Sequence, residues 1–368
     1  MFRIIFGLVF LLGITGIFYL GNRLCKYPPF RGRKLPIRLL AYPVLPLLCY
    51  FAVKLLGISN FNIIVLLLHL VIFWLLCDLG FWLAEKIRKK KPRRYYAGIT
   101  AILLTVVYLG LGWFFAHHVF VTEYTLTTEK DTPPLTIVQI TDAHLGVTLN
   151  GEDFAREMEK VQAQNPDVVV ITGDFVDDDS SKEDMLAACE ALGKLKTPYG
   201  VFFAYGNHDD GYFRSGTFTG EELRKALTDN GVKILEDEAV LLANSTQGNV
   251  CYIVGRKDAS ARDRLSIKEL TEELDPEVYT VVLDHQPTDF DAEAQAKVDM
   301  VLCGHTHGGH LFPTGLVGVW FGGNDLCYGK DVREGSTFIV SSGISGWAMP
   351  FKTGCISEIV TVRVAGEK

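Results

Sequence analysis

Acidic residues are almost missing from the first third of this 368-residue chain. Residues 1–122 contain 15 Lys or Arg residues but only two acids, Asp78 and Glu85, whereas residues 123–368 contain 21 basic and 41 acidic residues. The net charge of −7 therefore conceals a basic part of +13 and an acidic part of −20. An acidic domain without a basic stripe repels polyanions, so the charge distribution argues against a nucleic-acid partner.

The chain also lacks internal repeats, low-complexity tracts and Cys-x-x-Cys pairs. Eight cysteines are present, and their spacing gives no metal-binding motif. Cys189 and Cys303 lie in apolar patterns, so we interpret them as buried thiols, which behave as small hydrophobic side chains.

Four long apolar stretches occur in the basic part. They are residues 2–20, 39–58, 61–83 and 97–121. A spanning helix needs about 20 mostly apolar residues, so we expect residues 1–121 to form an all-α membrane domain with four transmembrane helices. The second stretch is the least regular, because it carries Pro43, Pro46 and Lys54. The first lacks a small-residue cleavage site, which favours a retained helix over a removed signal peptide.

Basic residues cluster between the first and second stretches and between the third and fourth. Because positive loops stay in the cytoplasm, the chain is expected to be a multi-pass protein of the cell membrane with its acidic domain on the extracytoplasmic side. Two ionisable residues of the third stretch, His69 and Asp78, are functional candidates by position. We favour structural roles for both, and for the His117-His118 pair.

The acidic part alternates between strand and helix patterns. Residues 122–134 are expected to form a linker or an edge strand, and residues 135–368 a separate domain. The predicted strands are residues 135–140, 167–172, 200–205, 232–235, 239–243, 250–255, 279–283, 298–303, 337–341 and 358–364. The predicted helices are residues 152–164, 182–196, 220–230, 266–273 and 289–296. About ten strands exceed one comfortable open sheet, so the pattern predicts an α/β fold with two packed sheets flanked by helices.

Five short polar clusters each follow an apolar, β-branched strand. They are Asp142-x-His144, Gly173-Asp174, Gly206-Asn207-His208-Asp209, His285 and Gly304-His305-Thr306-His307. Ligands of open α/β sheets bind beyond the carboxyl ends of the strands, so these side chains are expected to converge. Carboxylate, amide and imidazole groups suit a pair of hard-to-borderline metal ions. Such a pair promotes the hydrolysis of phosphate esters, because it neutralises the charge of the phosphoryl oxygens and lowers the pKa of bound water. A two-ion site also needs one carboxylate that contacts both ions, and Asp174 is the natural candidate for this bridging role.

The motif series TDAH, GD, GNHD, H and GHTH resembles the calcineurin-like metallophosphoesterase superfamily. The segments GHTHGG, SSGISG and SEIVTVRV resemble its membrane-associated YkuE-like branch, and the resemblance covers about residues 120–368. It implies a four-layer α/β/β/α sandwich. It also implies that Asp142, His144 and His307 bind the first ion, that Asp174 bridges, and that Asn207, His285 and His305 complete the second. His208 would protonate the leaving oxygen or stabilise the transition state, with Asp209 orienting it by a hydrogen bond.

The resemblance implies a phosphoric ester hydrolase that cleaves phosphoester or pyrophosphate bonds through attack by a metal-bridging hydroxide. Its cofactors would be two divalent ions, with Mn²⁺ favoured and Fe, Zn or Mg as alternatives. The membrane part favours a lipid-linked or envelope substrate over a soluble phosphorylated molecule. A phosphodiesterase or nuclease and a non-catalytic metal-binding scaffold are the competing interpretations, and the oligomeric state stays open.

Several residues depart from the pattern or have an open role. His310 stands where the YkuE-like branch usually has Gln, and we expect it to cap its loop rather than touch substrate. The loop Ser341–Gly346 lacks an Arg that similar proteins often carry. Asp177, Asp178 and Asp179 are interpreted as a solvated approach to a helix, and Asp284 as structural. A further group at a strand end, Arg256, Lys257 and Asp258, could line the cleft.

Overall fold

The basic part of the chain folds into helices. The computed structural model describes residues 2–90, 94–209, 217–244 and 248–367, and the chain divides into two compact units, Met1–Gly112 and Trp113–Lys368. The helices of the basic part are α1 (Phe2–Leu24), α2 (Leu35–Leu39), α3 (Ala41–Leu56), α4 (Asn62–Arg88) and α5 (Ala97–His117).

Among the residues that the structure describes, three segments are long and apolar enough to cross a membrane, namely Leu35–Leu56, Asn62–Arg88 and Ala97–His117. They correspond to the second, third and fourth predicted spans. The first predicted span folds as α1, although several of its side chains lie outside the described residues. The protein therefore contains apolar helices suited to a bilayer ahead of its catalytic domain.

The two ionisable residues of α4 have partners inside the membrane unit. Asp78 lies 2.6 Å from the Nε atom of Arg23 and accepts hydrogen bonds from the hydroxyl groups of Tyr19 and Tyr95. His69 donates from Nδ1 to the carbonyl of Val65 in its own helix. These contacts satisfy both polar groups locally, as expected for structural roles.

The boundary between helix and soluble domain lies earlier than predicted. The helix α5 ends at His117 instead of continuing to residue 121, and β1 (Val119–Thr128) begins two residues later. All ten residues of β1 pair in parallel with the last strand, so most of the predicted linker is an edge strand. The pattern was ambiguous because Val119–Val121 is equally apolar in a spanning helix and in a buried strand.

Two six-stranded mixed sheets form the centre of the acidic part. The strands are β2 (Leu135–Ile140), β3 (Val168–Thr172), β4 (Val201–Ala204), β5 (Val232–Ile234), β6 (Glu238–Asn244), β7 (Gly248–Gly255), β8 (Thr280–Leu283), β9 (Met300–Cys303), β10 (Gly329–Arg333), β11 (Ser336–Val340) and β12 (Ser357–Gly366). The first sheet has the order β1-β12-β2-β3-β4-β5 and the second β10-β11-β9-β8-β7-β6. Within them, β2 to β5 run parallel to one another, as do β7, β8, β9 and β11.

Helices cover the outer face of each sheet. They are α6 (Gly151–Ala163), α7 (Lys182–Gly193), α8 (Gly220–Asp229), α9 (Ile267–Thr271) and α10 (Phe290–Gln295). Neighbouring strand residues alternate between hydrophobic layers: Val169 packs toward the helical layer of α6 to α8, and Val170 packs between the sheets. Val282 of the second sheet packs with Phe290 of α10. The predicted four-layer α/β/β/α sandwich is confirmed.

One helix and one strand of the acidic part were not predicted from the sequence. The helix α11 (Thr314–Trp320) and the strand β10 follow the Gly304–His307 cluster. The segment around α11 is rich in glycine, which disfavours helix, and none of the residues of α11 is buried.

Removing the ring of Phe154 tests the packing of the helical layer. Phe154 is fully buried on α6 and makes an edge-to-face contact with Phe175. We expect Phe154→Ala to lower the unfolding free energy of the catalytic domain by about 3–5 kcal/mol. A urea titration of the full chain in detergent, followed by protease resistance, measures the change. The exposed Leu186→Ala on α7 is the control and should change stability by less than about 0.5 kcal/mol; equal losses would contradict this packing.

Candidate metal centre

The carboxyl ends of parallel strands from both sheets meet at one cleft. Asp142 and His144 follow β2, Asp174 follows β3, and Asn207 and His208 follow β4. From the second sheet, His285 follows β8, and His305 and His307 follow β9. Gln139 joins the sheets, because its amide Nε2 donates to Thr172 Oγ1 and to the Cys303 carbonyl at 2.8 and 2.9 Å.

The first group of converging side chains consists of Asp142, His144 and His307. One ligand atom from each lies within 4.8 Å of the others. The Nε2 atoms of the two imidazoles are 3.1 Å apart, and His307 Nε2 is 3.3 Å from Asp142 Oδ1. Two imidazole nitrogens and a carboxylate at this spacing are a suitable ligand set for a transition-metal ion.

The second group consists of Asp174, His285 and His305, again within 4.8 Å. The Oδ2 atom of Asp174 lies 3.1 Å from His285 Nε2 and 3.5 Å from His144 Nε2 of the first group. Asp174 is therefore the carboxylate that reaches both groups. It occupies the place where a two-ion site needs its shared ligand.

One unpaired atom tests whether an ion fits this cleft. Among the described residues, Asn207 Oδ1 is buried without a hydrogen-bond partner. His285 donates from Nδ1 to the Thr172 carbonyl at 2.7 Å, so its Nε2 atom is the one that faces Asp174 Oδ2 at 3.1 Å. Buried polar atoms are normally satisfied, and a cation bound by the amide oxygen of Asn207 would satisfy it.

The backbone is unusually constrained at these positions. Asp142, His144, Asp174, His305 and His307 have φ angles between 35° and 69°, in the left-handed region that residues other than glycine rarely adopt. The backbone is also tightly packed here, because a Cβ atom on Gly173 would lie 2.5 Å from the Gly206 nitrogen and 2.7 Å from His285 Nδ1. Strained residues cluster at functional sites, which supports the assignment of this cleft.

Negative charge dominates the potential around His285. Burial disfavours a charged imidazole, yet Asp174 and Asp142 raise the pKa of His285 well above its usual value. Burial alone raises the pKa of Asp174, but His285 and His144 lower it well below the usual range. The cleft therefore keeps its bridging carboxylate ionised and stabilises positive charge, as a metal site must.

His208 lies at the edge of the cleft, half-buried. Its ring centroid is 5.1 Å from that of His144 and 5.6 Å from the ring of Trp347. Its backbone N–H donates to Asp174 Oδ1 at 2.9 Å. The imidazole is thus beside the converging ligands and next to an exposed face, where it can meet a bound phosphoester.

Asp209 is buried beside the loops that carry the candidate ligands. Its carboxylate accepts hydrogen bonds from the backbone N–H groups of Phe175, Val176 and Gly206 at 2.8 to 3.1 Å. These bonds brace the loops after β3 and β4. The orientation of the His208 imidazole by Asp209 stays a prediction.

Asp177 is the site residue that the sequence analysis missed. It is buried, and its Oδ2 atom accepts from His144 Nδ1 at 2.8 Å, so His144 presents its Nε2 lone pair to the cleft. Only Asp178 and Asp179 are exposed, which corrects the expectation for the whole run. The sequence did contain one indication of this role, because Asp177 follows Asp174 by three residues in the loop after the same strand.

The loop Ser341–Gly346 closes one side of the cleft. Its Ile344 and Ser345 N–H groups donate to the carbonyls of Thr141 and Asp142. The fully buried Lys352 donates to the carbonyls of Ser342 and Gly343 at 2.7 and 2.9 Å. The ammonium group therefore holds this loop against the strand end that carries Asp142.

His310 supports the same loop. It is buried, and its Nε2 atom accepts from the Trp347 N–H at 3.2 Å. The structure therefore agrees with a loop-capping role for His310. Trp347, which was not singled out from the sequence, thereby lies beside His208 and remains partly exposed.

The strand-end group after β7 makes ion pairs and hydrogen bonds with neighbouring loops. Arg256 is buried and forms ion pairs with Asp284, Glu293 and Asp289 at 2.8 to 3.0 Å. Asp258 accepts both hydrogen bonds of the Gln286 amide, and Lys257 pairs with the exposed Asp263. These contacts are structural, as expected for Asp284, and they fix the loop that carries His285.

Comparison with known proteins agrees with the geometry. The calcineurin-like phosphoesterase family model matches residues 135–309. An uncharacterized metallophosphoesterase of Aquifex aeolicus (strain VF5) is 32% identical over 256 residues, which cover 67% of this chain and 92% of that protein. The chain belongs to the calcineurin-like phosphoesterase family. It is accordingly a metal-dependent phosphoester hydrolase, and the suspected superfamily is confirmed.

Two further relatives bear on the branch and the membrane. The metallophosphoesterase YkuE of Bacillus subtilis (strain 168) is 24% identical over 239 residues, which cover 61% of this chain and 79% of that protein. A transmembrane protein with metallophosphoesterase domain from Danio rerio is 29% identical over 238 residues. That match covers 62% of this chain and 52% of the relative. Together with the three apolar helices, it supports a membrane protein.

Asp177→Asn tests the support of His144. Loss of the carboxylate removes the charged acceptor that orients the imidazole, and such changes reduce metal affinity or activity by about 10–100-fold. We expect this loss in a titration of the metal-free full chain with Mn²⁺, with stability little changed. Asp178→Asn, an exposed change on the adjacent residue, is the matched control. Equal Mn²⁺ affinity for both variants and the original chain would exclude this role.

Proposed function

We propose that the protein is a membrane-anchored phosphohydrolase with a two-ion centre, in which Asp142, His144 and His307 hold one ion and Asn207, His285 and His305 hold the other. Asp174 is proposed to bridge. The observation that carries the proposal is the position of Asp174 Oδ2, within 3.5 Å of an imidazole nitrogen from each group. Mn²⁺ is the favoured metal, and Fe, Zn and Mg are compatible with the same ligands.

Two divalent ions supply Lewis acidity toward phosphoryl oxygens and lower the pKa of water. The protein supplies the remaining steps. His208, at the exposed edge, protonates the leaving oxygen or stabilises its developing charge. Asp209 fixes the loop that carries His208 through its three backbone hydrogen bonds. Phosphomonoesters, phosphodiesters and pyrophosphates all present such a leaving oxygen.

The competing functions have less support. A non-catalytic scaffold is expected to lack ligands, whereas six of the seven proposed ligands lie in two groups and Asn207 follows the same strand end as His208. A nuclease needs phosphate-binding Lys and Arg residues, but residues 123–368 carry a net charge of −20. The chain's apolar helices favour an envelope or lipid-linked phosphoester, since an anchored enzyme meets such substrates in two dimensions.

The anchor is proposed to consist of four spanning helices, with α1 as the first. Its basic loops lie between the first and second helices and between the third and fourth, and are proposed to face the cytoplasm. The catalytic domain then lies outside the cytoplasm. The aromatic residues Trp113, Phe114 and Phe115 at the end of α5 are suited to the outer interface.

Substitution of the bridging carboxylate and of the edge histidine separates metal binding from proton transfer. Asp174→Asn should lower hydrolysis of an aryl phosphodiester with Mn²⁺ by at least about a hundredfold and reduce the bound metal. His208→Ala should lose about a hundredfold or more because protonation is lost, with the metal content retained. Activity and metal content are measured on the same purified samples.

The control for these variants is Asp229→Asn, an exposed carboxylate on α8 that pairs with Lys225. It should match the original chain in activity and metal content. A chelator should abolish hydrolysis, and Mn²⁺ should restore it. Undiminished activity in Asp174→Asn or His208→Ala would overturn the assignment.

A C-terminal reporter fusion tests the proposed orientation. The basic loops predict that alkaline phosphatase fused to residue 368, which is active only after export, gives high activity. A green fluorescent protein fused at the same position should be dark when exported through an unfolded route. The opposite pair of results would place the catalytic domain in the cytoplasm.

A further inference from the structure

An exposed apolar surface lies beside the metal centre. We define the apolar patch as Phe312, Leu316, Val319, Trp320 and Phe321, all of which are exposed. The rings of Trp320 and Phe321 are each 73% exposed. No charged residue occurs from Leu311 to Gly323. A contiguous group of large exposed apolar side chains marks an interaction surface, since each side chain left in water forgoes about 1.5–3 kcal/mol of burial.

The patch lines a cavity that includes a neighbour of a proposed ligand. This cavity of about 430 Å³ is lined by Gly308, Phe312, Leu316, Val319, Trp320 and Cys327, among others. Gly308 directly follows His307 of the first ligand group. The segment that carries His307 therefore continues into the wall of the apolar cavity.

The patch is also linked to the end of an apolar helix. The backbone N–H of Phe312 donates to Thr353 Oγ1 at 3.0 Å, and the Thr353 N–H donates to the His310 carbonyl at 2.7 Å. Two residues before Thr353, the ring of Phe351 contacts the ring of Trp113, with centroids 5.7 Å apart. Trp113 is in the last turns of α5, so one short segment contacts both the helix end and the patch.

The contacts between the segment Phe351–Thr353, the patch and Trp113 favour the lipid bilayer as the occupant of the patch. The end of α5 carries Trp113, Phe114 and Phe115, residues typical of the membrane interface, and all of them belong to the same compact unit as the patch. Segments that lie in the interface present Trp, Phe and Leu side chains to the lipid. An uncharged surface of this composition is suited to lipid and offers no ion pair to a protein partner.

We propose that the apolar patch embeds in the bilayer interface together with Trp113, Phe114 and Phe115 and presents membrane-resident phosphoesters to the metal centre. The second half of this proposal rests on the phosphohydrolase function proposed above. The phosphate of such a lipid reaches the ligand groups past Trp347 and His208, and its acyl chain stays in the bilayer or the apolar cavity. The substrate class is therefore a phosphoester that carries a long alkyl or acyl chain.

Lipid quenching of Trp320 tests the docking without any enzyme assay. The full chain is placed in nanodiscs of phosphatidylcholine, with or without bromine on the acyl chains. The protein has five tryptophans, so the difference between the original chain and Trp320→Phe isolates the emission of Trp320. We expect brominated lipid to reduce this difference about twofold or more, because an interfacial ring lies close to the upper acyl carbons. Unchanged emission, with a maximum typical of water-exposed tryptophan, would overturn the docking.

A matched pair of chromogenic substrates tests the substrate class. Hexadecyl p-nitrophenyl phosphate and methyl p-nitrophenyl phosphate share the reacting bond and differ in the chain. In nanodiscs, the double variant Trp320→Ser/Phe321→Ser should raise the KM for the hexadecyl ester about tenfold or more, since apolar contact is lost. The methyl ester should be hydrolysed as before. Leu186→Ser, an exposed change on α7, should affect neither ester.

The two failures are distinguishable. If the original chain hydrolyses neither ester with Mn²⁺, the phosphohydrolase assignment fails, while the quenching of Trp320 still decides the docking. If both esters are hydrolysed and the double variant changes them equally, the patch does not select lipid-borne substrates. Retained quenching together with a selective loss for the hexadecyl ester supports the whole proposal.

Discussion

Asp142 and Asp174 are carboxylates buried beside one another, and their charges must be balanced inside the protein. An ionised carboxylate away from water is costly unless it is paired and hydrogen-bonded. Asp142 accepts from the His305 N–H and the Thr141 hydroxyl, and Asp174 accepts from the His208 N–H. Besides these donors, oxygens of both carboxylates lie near imidazole nitrogens, and the proposed divalent cations would complete the balance of charge. The proposed chemistry and the architecture of the cleft follow from this requirement.

The same requirement explains why strained backbone is found at the strand ends. A residue other than glycine in the left-handed region costs on the order of 1–3 kcal/mol, and five proposed ligands adopt it. The two sheets and the layer between them hold these residues in place, because their strand ends are joined by Gln139 and His285. The left-handed backbone conformation occurs at both residues of two i, i+2 pairs, Asp142 with His144 and His305 with His307. The side chains of both pairs lie at the same cleft.

Sequence patterns predicted that the candidate ligands converge because each stands immediately after an apolar strand, where topology alone fixes its location. They did not predict the residues that support the ligands. Asp177 belongs to a run of three acids, and only packing makes it buried. Lys352 interrupts an apolar segment and would be expected in solvent, yet it binds two carbonyls of the Ser341–Gly346 loop. Such roles depend on contacts between segments distant in sequence, which strand and helix periodicity does not encode.

The loop Ser341–Gly346 contains no basic residue, and this affects how the enzyme can distinguish substrates. Metal ions bind any phosphoryl oxygen, so they contribute affinity without selecting the rest of the molecule. Discrimination then depends on surfaces around the ions, since specificity is a difference between affinities. The partly exposed Trp347 lies beside His208, and the exposed apolar patch belongs to the same domain, whose net charge is strongly negative. This combination supports the proposed preference for a phosphate attached to an apolar group over a polyanion.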